Sequence, residues 1–251
     1  MNYPNYPNFK VSRNVKISRL RDQFLDAASH EFKTPLTSLR LQVQMISRMA
    51  GEERVKRLAG DADKQIERMT HLINDLLDAT GIRMGQLELR SDEIDLAEMV
   101  KEEVALFLSD PAFADIRIRV HAPQPIYGVW DRSRIAQIFK SLLSNAARYG
   151  LRKPVDVTVW GDRTQGRISV RDQGIGISEE DQVRIFHQFE RCVEYQKFGG
   201  FGLGLYVSRQ IALAHGGQIE VKSREGEGSV FTLQLPLPQK AAASVKAARA
   251  G

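Results

Sequence analysis

Cysteine is almost missing from this sequence: Cys192 stands alone among 251 residues. A single thiol excludes an intramolecular disulfide framework and suits a reducing compartment. Long apolar runs are missing too. No stretch approaches the ~18 apolar residues of a membrane-spanning helix. The polar, proline-broken start MNYPNYPNFK lacks the pattern of a secretory leader. A cytoplasmic location is therefore expected, as a free protein or as the cytoplasmic part of a membrane-bound one, with no membrane segment in this chain. Nor is charge concentrated in one sign. Residues 1–86 carry 14 basic and 10 acidic side chains, 87–237 carry 19 and 21, and 238–251 carry three and none. Binding to nucleic acid needs a concentrated basic face with readout residues. The sequence has none, so nucleic acid is not an expected partner. The mildly basic first third suits an acidic protein partner instead.

What is present is an ordinary globular composition, 42% hydrophobic and 27% charged, in a length that fits one large or two small domains. Residues 1–13, with a repeated Asn-Tyr-Pro, are expected to be a disordered N-terminal segment. From Asn14 to about Met49 apolar residues recur every three or four positions, through Leu20, Phe24, Ala28, Phe32, Leu36, Leu39, Val43 and Ile46. Gly51 interrupts the pattern. A second stripe follows at Leu58, Ala62, Ile66, Met69, Ile73 and Leu76 and ends near Gly81. Two long helices with a short connection predict an antiparallel hairpin. One hairpin cannot bury both stripes against itself, so a homodimeric four-helix bundle through residues 14–84 is expected.

Within the first helix lies SHEFKTPLT. His30 is two residues from both Ala28 and Phe32, so at ~100° per residue it points ~200° away from the apolar stripe, toward solvent. Thr34 lies one turn on, on the same face, and Glu31 is beside the histidine. Pro35 cannot donate a backbone bond to the Glu31 carbonyl, which predicts a kink or bulge just past His30.

Beyond residue 84 helices and strands alternate. Strands are predicted at 87–90, 116–120, 126–130, 155–160, 167–172, 218–223 and 229–235, with helices at 95–108, 132–148 and 203–215. The late strands read as hairpins, so this second domain, residues 85–238, is expected to be an α+β sandwich rather than a doubly wound parallel fold. Residues 239–251 are expected to be a disordered tail. Four elements of this domain carry chemistry. In QIFKSLLSNAARYG, Ile135, Ile138, Phe139, Leu142 and Leu143 form a buried face, while Asn145, Arg148 and Tyr149 close the helix. An amide oxygen at Asn145 is a hard ligand suited to Mg²⁺, Arg148 can pair with phosphates, and Tyr149 can cover a base. In VRDQGIGIS a strand ends at Asp172, whose carboxylate can accept from an amino group, and the chain turns on Gly174 and Gly176. In IFHQFER, Phe186 and Phe189 are candidate anchors for the loop that follows. In GGFGLGLYVSRQIALAHGG, Gly199, Gly200, Gly202 and Gly204 lead into a helix, whose free amides and positive end can cradle phosphate. Each element alone has an innocent reading as a turn, a helix end or packing.

Taken together and in order, SHEFKTPLT and these four stretches resemble the H, N, G1, F and G2 boxes of the sensor histidine kinases. The resemblance covers about residues 14–237. It implies a dimerisation and histidine-phosphotransfer hairpin followed by a Bergerat-fold ATP-binding domain of the GHKL type. It implies that His30 takes the γ-phosphoryl group of ATP, Glu31 orients the ring and accepts its proton, and Thr34 serves a phosphatase reaction. It further implies that Asn145 holds Mg²⁺ and Asp172 reads adenine. Arg148 and Tyr149 would contact the nucleotide, bracketed by Gly174, Gly176, Gly200, Gly202 and Gly204. The phosphoryl group would pass to an aspartate of a response-regulator receiver domain. Two positions depart from the family pattern: Ser141 stands where a second asparagine is usual, and Phe201 where a small residue lies between glycines. A non-enzymatic scaffold that binds nucleotide, and a GHKL serine kinase or ATPase, are the rival readings; labelling with ATP separates them.

Overall fold

The computed structural model describes residues 36–46, 52–83, 87–190 and 202–237. The expectations for His30, Glu31, Thr34, Cys192, Gly200, Phe201 and the two terminal segments fall outside these residues. The described residues form two compact units. The first holds the helices up to Thr80 together with residues 187–190 and 202–203; the second holds the remainder.

In the first unit, helix α1 covers 36–46 and helix α2 runs Glu52–Arg83. The predicted hairpin partners are thus both helical where described. Helix α2 runs two residues past Gly81, because nothing crowds that glycine and an isolated helical glycine costs only about 1 kcal/mol. Thr70 and Thr80 fold their hydroxyls back onto the carbonyls of Ile66 and Leu76, 3.0 and 2.8 Å away. Among the described residues each apolar stripe is covered only in part, with Leu39, Leu58, Ala62, Met69 and Leu76 half-buried. Leu36, Val43, Ile66, Ile73 and Leu77 are all exposed, Leu77 by 64%.

The second unit begins its regular structure with strand β1 (Asp92–Asp95), helix α3 (Leu96–Ser109) and strands β2 (Ile118–His121) and β3 (Tyr127–Trp130). Helix α4 (Arg132–Tyr149) leads to the hairpin β4 (Val155–Gly161) and β5 (Gln165–Arg171). A short helix α5 (Glu179–Arg184), helix α6 (Gly204–Ala214) and the hairpin β6 (Gln218–Arg224) and β7 (Gly228–Pro236) complete it. Five strands form one sheet in the order β2-β4-β5-β7-β6, with β2 parallel to β4 and every other neighbour antiparallel. The parallel pair, β2 and β4, is joined by a long connection through β3 and α4, as parallel neighbours require.

The predicted strand at 87–90 is not formed. Leu87 and Leu89 alternate with polar residues as a strand would, but β3 pairs with 92–95 instead, Asp92 opposite Trp130 and Asp95 opposite Tyr127. The amide of Arg90 is taken by the Asp131 carboxylate at 2.9 Å. Helix α5 was not predicted; Ser178 caps it by accepting from the amide of Asp181.

One face of the five-stranded sheet is apolar by strict alternation: Val155, Val157 and Val159 on β4, Ile168 and Val170 on β5, and Phe231, Leu233 and Leu235 on β7 are buried. The register stacks them, Val157 opposite Val170 and Ile168 opposite Leu233. Helix α4 supplies the facing layer, since Ile135, Ile138, Phe139, Leu142 and Leu143 are each at most 1% exposed. Burying each of these is worth about 1.5–3 kcal/mol, so the helix is anchored along its length and its opposite face is free to carry function.

Candidate active site

The site is built on the second half of α4. Ser141, Asn145 and Tyr149 follow one another at four-residue spacing and share a face. Asn145 is half-buried, and its amide makes no hydrogen bond among the described residues. Arg148 is exposed and Tyr149 half-buried in the last turn. The turns of α4 before and after Asn145 each meet a glycine element. One turn earlier, the Ser141 hydroxyl oxygen lies 3.0 Å from where a Cβ would stand on Gly204, the first residue of α6. One turn later, the Tyr149 carbonyl accepts from the Ile175 amide at 3.3 Å.

The glycines of DQGIG are used by the protein's own backbone. A Cβ on Gly174 would lie 1.9 Å from the Tyr149 carbonyl oxygen, so only glycine lets this turn close onto the end of α4. Gly176 has φ +71 and its Cβ would strike the Arg224 carbonyl at 1.9 Å. Both glycines therefore shape the turn by packing it against α4 and β6. Gly202, two residues before α6, also takes a left-handed conformation, φ 66.

Asp172 ends β5 as predicted and is 5% exposed. Its Oδ1 accepts from the amides of Gly174 at 2.8 Å and Ser229 at 3.3 Å, while its own amide donates to the Ser229 carbonyl at 2.9 Å. Oδ2 is the oxygen these bonds leave unused. Burial pushes the Asp172 carboxyl above the usual carboxylate range, against the pull of the two amides. The arrangement fixes one oxygen and leaves the other able to accept from an amino group.

Residues that the sequence did not single out hold this turn. Ser223 accepts from the Ile177 amide at 2.8 Å, and Gln182 donates to the carbonyls of Ile177 and Ser223, each at 3.0 Å. Lys153 donates to the Gln173 carbonyl at 2.9 Å. Ser223 and Ser229 are ordinary strand residues until β7 is known to lie beside β5 and β6 beside β7, and no local pattern states that. Phe186 is buried as expected, edge-on to Phe231 and beneath the Arg209 guanidinium. Phe189 adopts φ 61, uncommon for a bulky residue.

Among the described residues, no three His, Cys, Asp or Glu side chains are grouped to hold a metal. A single free amide oxygen at Asn145 fits a cation such as Mg²⁺, which keeps most of its shell as water and phosphate. No helix of the described residues is long and apolar enough to cross a membrane.

Comparison with known proteins agrees with this geometry. Residues 20–85 match the family model described as the His Kinase A (phospho-acceptor) domain. Residues 130–239 match that of the histidine kinase-, DNA gyrase B-, and HSP90-like ATPase. The sensor histidine kinase WalK of Bacillus subtilis (strain 168) is 28% identical, over 92% of this chain and 39% of its own length. Full-length ShkA, solved with AMPPNP, superposes with a TM-score of 0.63 at 25% identity, over 84% of this chain and 45% of that one. The catalytic domain of the histidine kinase ThkA gives 0.52 at 30% identity, over 60% of this chain and 96% of that domain. ThkA in complex with the response regulator TrrA has the same fold, with a TM-score of 0.66 at 23% identity over 95% of this chain and 69% of that one. The chain spans about two fifths of the length of the first curated relatives it matches, 39% of WalK and 41% of the mycobacterial MtrB. A phospho-acceptor match over the helical hairpin and a GHKL ATPase match over the sheet domain, in one chain, place this protein in the sensor histidine kinase family.

Proposed function

We propose that this chain is an ATP-dependent protein-histidine kinase core that phosphorylates itself on His30 and passes the phosphoryl group to an aspartate of a response regulator. The observation that carries the reading is the position of Asn145 on α4. It lies one turn after the residue that meets Gly204 and one turn before the residue that meets the Gly174 turn. Phosphates placed at the start of α6 would meet helix amides and the positive end of its dipole. Adenine would present its amino group to Asp172 Oδ2. Arg148 and Tyr149, in the last turn of α4, are assigned to the phosphates and the base. Mg²⁺ carried by the nucleotide would add Asn145 as a ligand and supply charge neutralisation of the phosphates.

His30 attacks the γ-phosphorus through one ring nitrogen. The bond to the bridging oxygen breaks, ADP leaves with that electron pair, and Glu31 takes the proton from the imidazole. The reading rests on the match of residues 20–85 to a phospho-acceptor domain. Thr34, four residues after His30 in sequence, is assigned to dephosphorylation of the regulator. The exposed stripe through Leu36, Val43, Ile66, Ile73 and Leu77 supports a homodimer through residues 14–84. The ATP-binding domain is taken as residues 85–238.

The test is a transfer assay. The chain is incubated with γ-labelled ATP and Mg²⁺, then with a purified receiver domain. The account predicts label on the chain that is acid-labile and base-stable and moves to the receiver. Nucleotide binding with no label would instead make the chain a scaffold.

A further inference from the structure

Helix α6 ends in Ala-His-Gly-Gly, and the backbone there forms a tight cap. Gly216 is left-handed, φ +71, its amide bonds to the Leu213 carbonyl at 2.9 Å, and the Gly217 amide reaches back to the Ala212 carbonyl at 2.9 Å. This is the double bond pattern of a glycine-terminated helix. It fixes the backbone of His215, whose ring then makes two bonds. Nδ1 is 2.8 Å from the Ile211 carbonyl, and Nε2 is 3.0 Å from the amide of Asp131. A carbonyl can only accept and a backbone amide can only donate, so Nδ1 must carry the proton and Nε2 must be the acceptor. The geometry selects one neutral tautomer.

Asp131 is the N-cap of α4. Its carboxylate accepts from the Arg134 amide at 3.1 Å, the Ser133 hydroxyl at 2.8 Å and the Arg90 amide at 2.9 Å. His215 thus joins the C-terminal end of α6 to the N-terminal end of α4. The other end of α6, Gly204, rests against Ser141 of α4. The two helices are antiparallel, joined by a hydrogen bond at the His215 end of α6 and in close approach where Gly204 meets Ser141. At about 1.5 Å per residue, the stretch from Asp131 to Ser141 is about 15 Å long and that from Gly204 to His215 about 16 Å, so the two spans match. Asn145 lies one turn beyond Ser141.

We infer that His215 is a positioning residue for the nucleotide site: its imidazole, held as the Nδ1–H tautomer, fastens α6 to the cap of α4 and so fixes where Gly204 stands relative to Asn145. The inference rests on the reading of Gly204 and Asn145 as nucleotide contacts. Without the ring acceptor, the Asp131 amide loses its partner and α6 keeps only its close approach to α4 at Gly204.

The two bonds can be separated by substitution. In His215→Gln the side-chain oxygen reaches the place of Nε2 and restores an acceptor for the Asp131 amide. In His215→Asn the shorter amide can keep the bond to Ile211 but cannot reach Asp131. The measurements are AMPPNP titrations of the full chain and its two variants with Mg²⁺, and a long-range proton–nitrogen NMR spectrum of the wild-type histidine rings. The account predicts a protonated Nδ1 and unprotonated Nε2 at His215. It predicts affinity within about twofold of wild type for His215→Gln and a roughly tenfold loss for His215→Asn. A protonated Nε2, or equal affinities for the two variants while the wild type binds normally, overturns the inference and leaves the nucleotide site standing. A wild type that binds no AMPPNP overturns both. The NMR measurement needs no variant to fold.

Discussion

Asp172 and Asp131 are both buried aspartates, and their surroundings push them in opposite directions. At Asp172 burial outweighs two amides and raises the carboxyl above its ordinary value. Folding shifts the balance toward the acid relative to the unfolded chain, so the stability it contributes is present at low pH and lost as pH rises through the folded value. Asp172→Asn keeps the oxygen that the amides of Gly174 and Ser229 need but turns the second oxygen into a donor. The variant should be as stable as wild type or more so at neutral pH, while its affinity for ATP falls more than tenfold, the loss expected when a bond to a charged group is removed. Thermal melts and ATP titrations check this; unchanged affinity would move the adenine contact elsewhere. Thr34 makes a separate claim. Its hydroxyl, four residues from His30 in sequence, is proposed to hold a water for attack on the acyl phosphate of a docked regulator. Thr34→Ala should retain autophosphorylation and transfer while a purified phospho-regulator decays more slowly in its presence; equal decay rates would remove the phosphatase role.

Helix α4 is the element on which the second unit depends, and its start is a single carboxylate. Burial of Asp131 works against its ionisation, yet the amides of Arg90 and Arg134 and the Ser133 hydroxyl hold its carboxyl below the usual value. Stability from that lowered value is present above the unfolded carboxylate pKa of about 3.9 and lost as pH falls through the folded one. Asp131→Ala should therefore cost about 2 kcal/mol at neutral pH, the upper end for a helix cap because a third donor is also orphaned. The difference from wild type should shrink below about pH 4. A deficit independent of pH would contradict the ionic role. Much of this element was legible in advance. The apolar spacing of Ile135 to Leu143 gave the buried face, and Asn145, Arg148 and Tyr149 stand at its end as predicted. The partners of its two ends were not legible. Ser229 on Asp172, His215 on Asp131 and Ser141 against Gly204 depend on which strands and helices become neighbours, and that is set by the sheet order rather than by local pattern. The strand at 87–90 failed for the same reason: its alternation was sound, but its neighbour paired with 92–95. Gly174 and Gly176 were correctly marked as sites of close backbone approach, though what approaches includes the protein's own carbonyls.

For the molecule as a whole, the described helices leave part of their apolar stripes exposed while the sheet unit buries one apolar face of its sheet. Ile73 and Leu77 lie four residues apart on α2 and both are exposed. Replacing both by glutamate should convert a dimer to monomers in sedimentation analysis, with AMPPNP affinity unchanged because Asn145, Asp172 and Gly204 lie in the other unit. A monomeric wild type would contradict the bundle. The central proposal is that nucleotide bound at Asn145, Asp172 and Gly204 phosphorylates His30. It is tested most directly by exposing wild-type and His30→Gln protein to γ-labelled ATP with Mg²⁺ and measuring AMPPNP affinity in parallel. The account predicts acid-labile, base-stable label on wild type, none on His30→Gln, and equal nucleotide affinity for the two. Label of the same kind and amount on His30→Gln would contradict it.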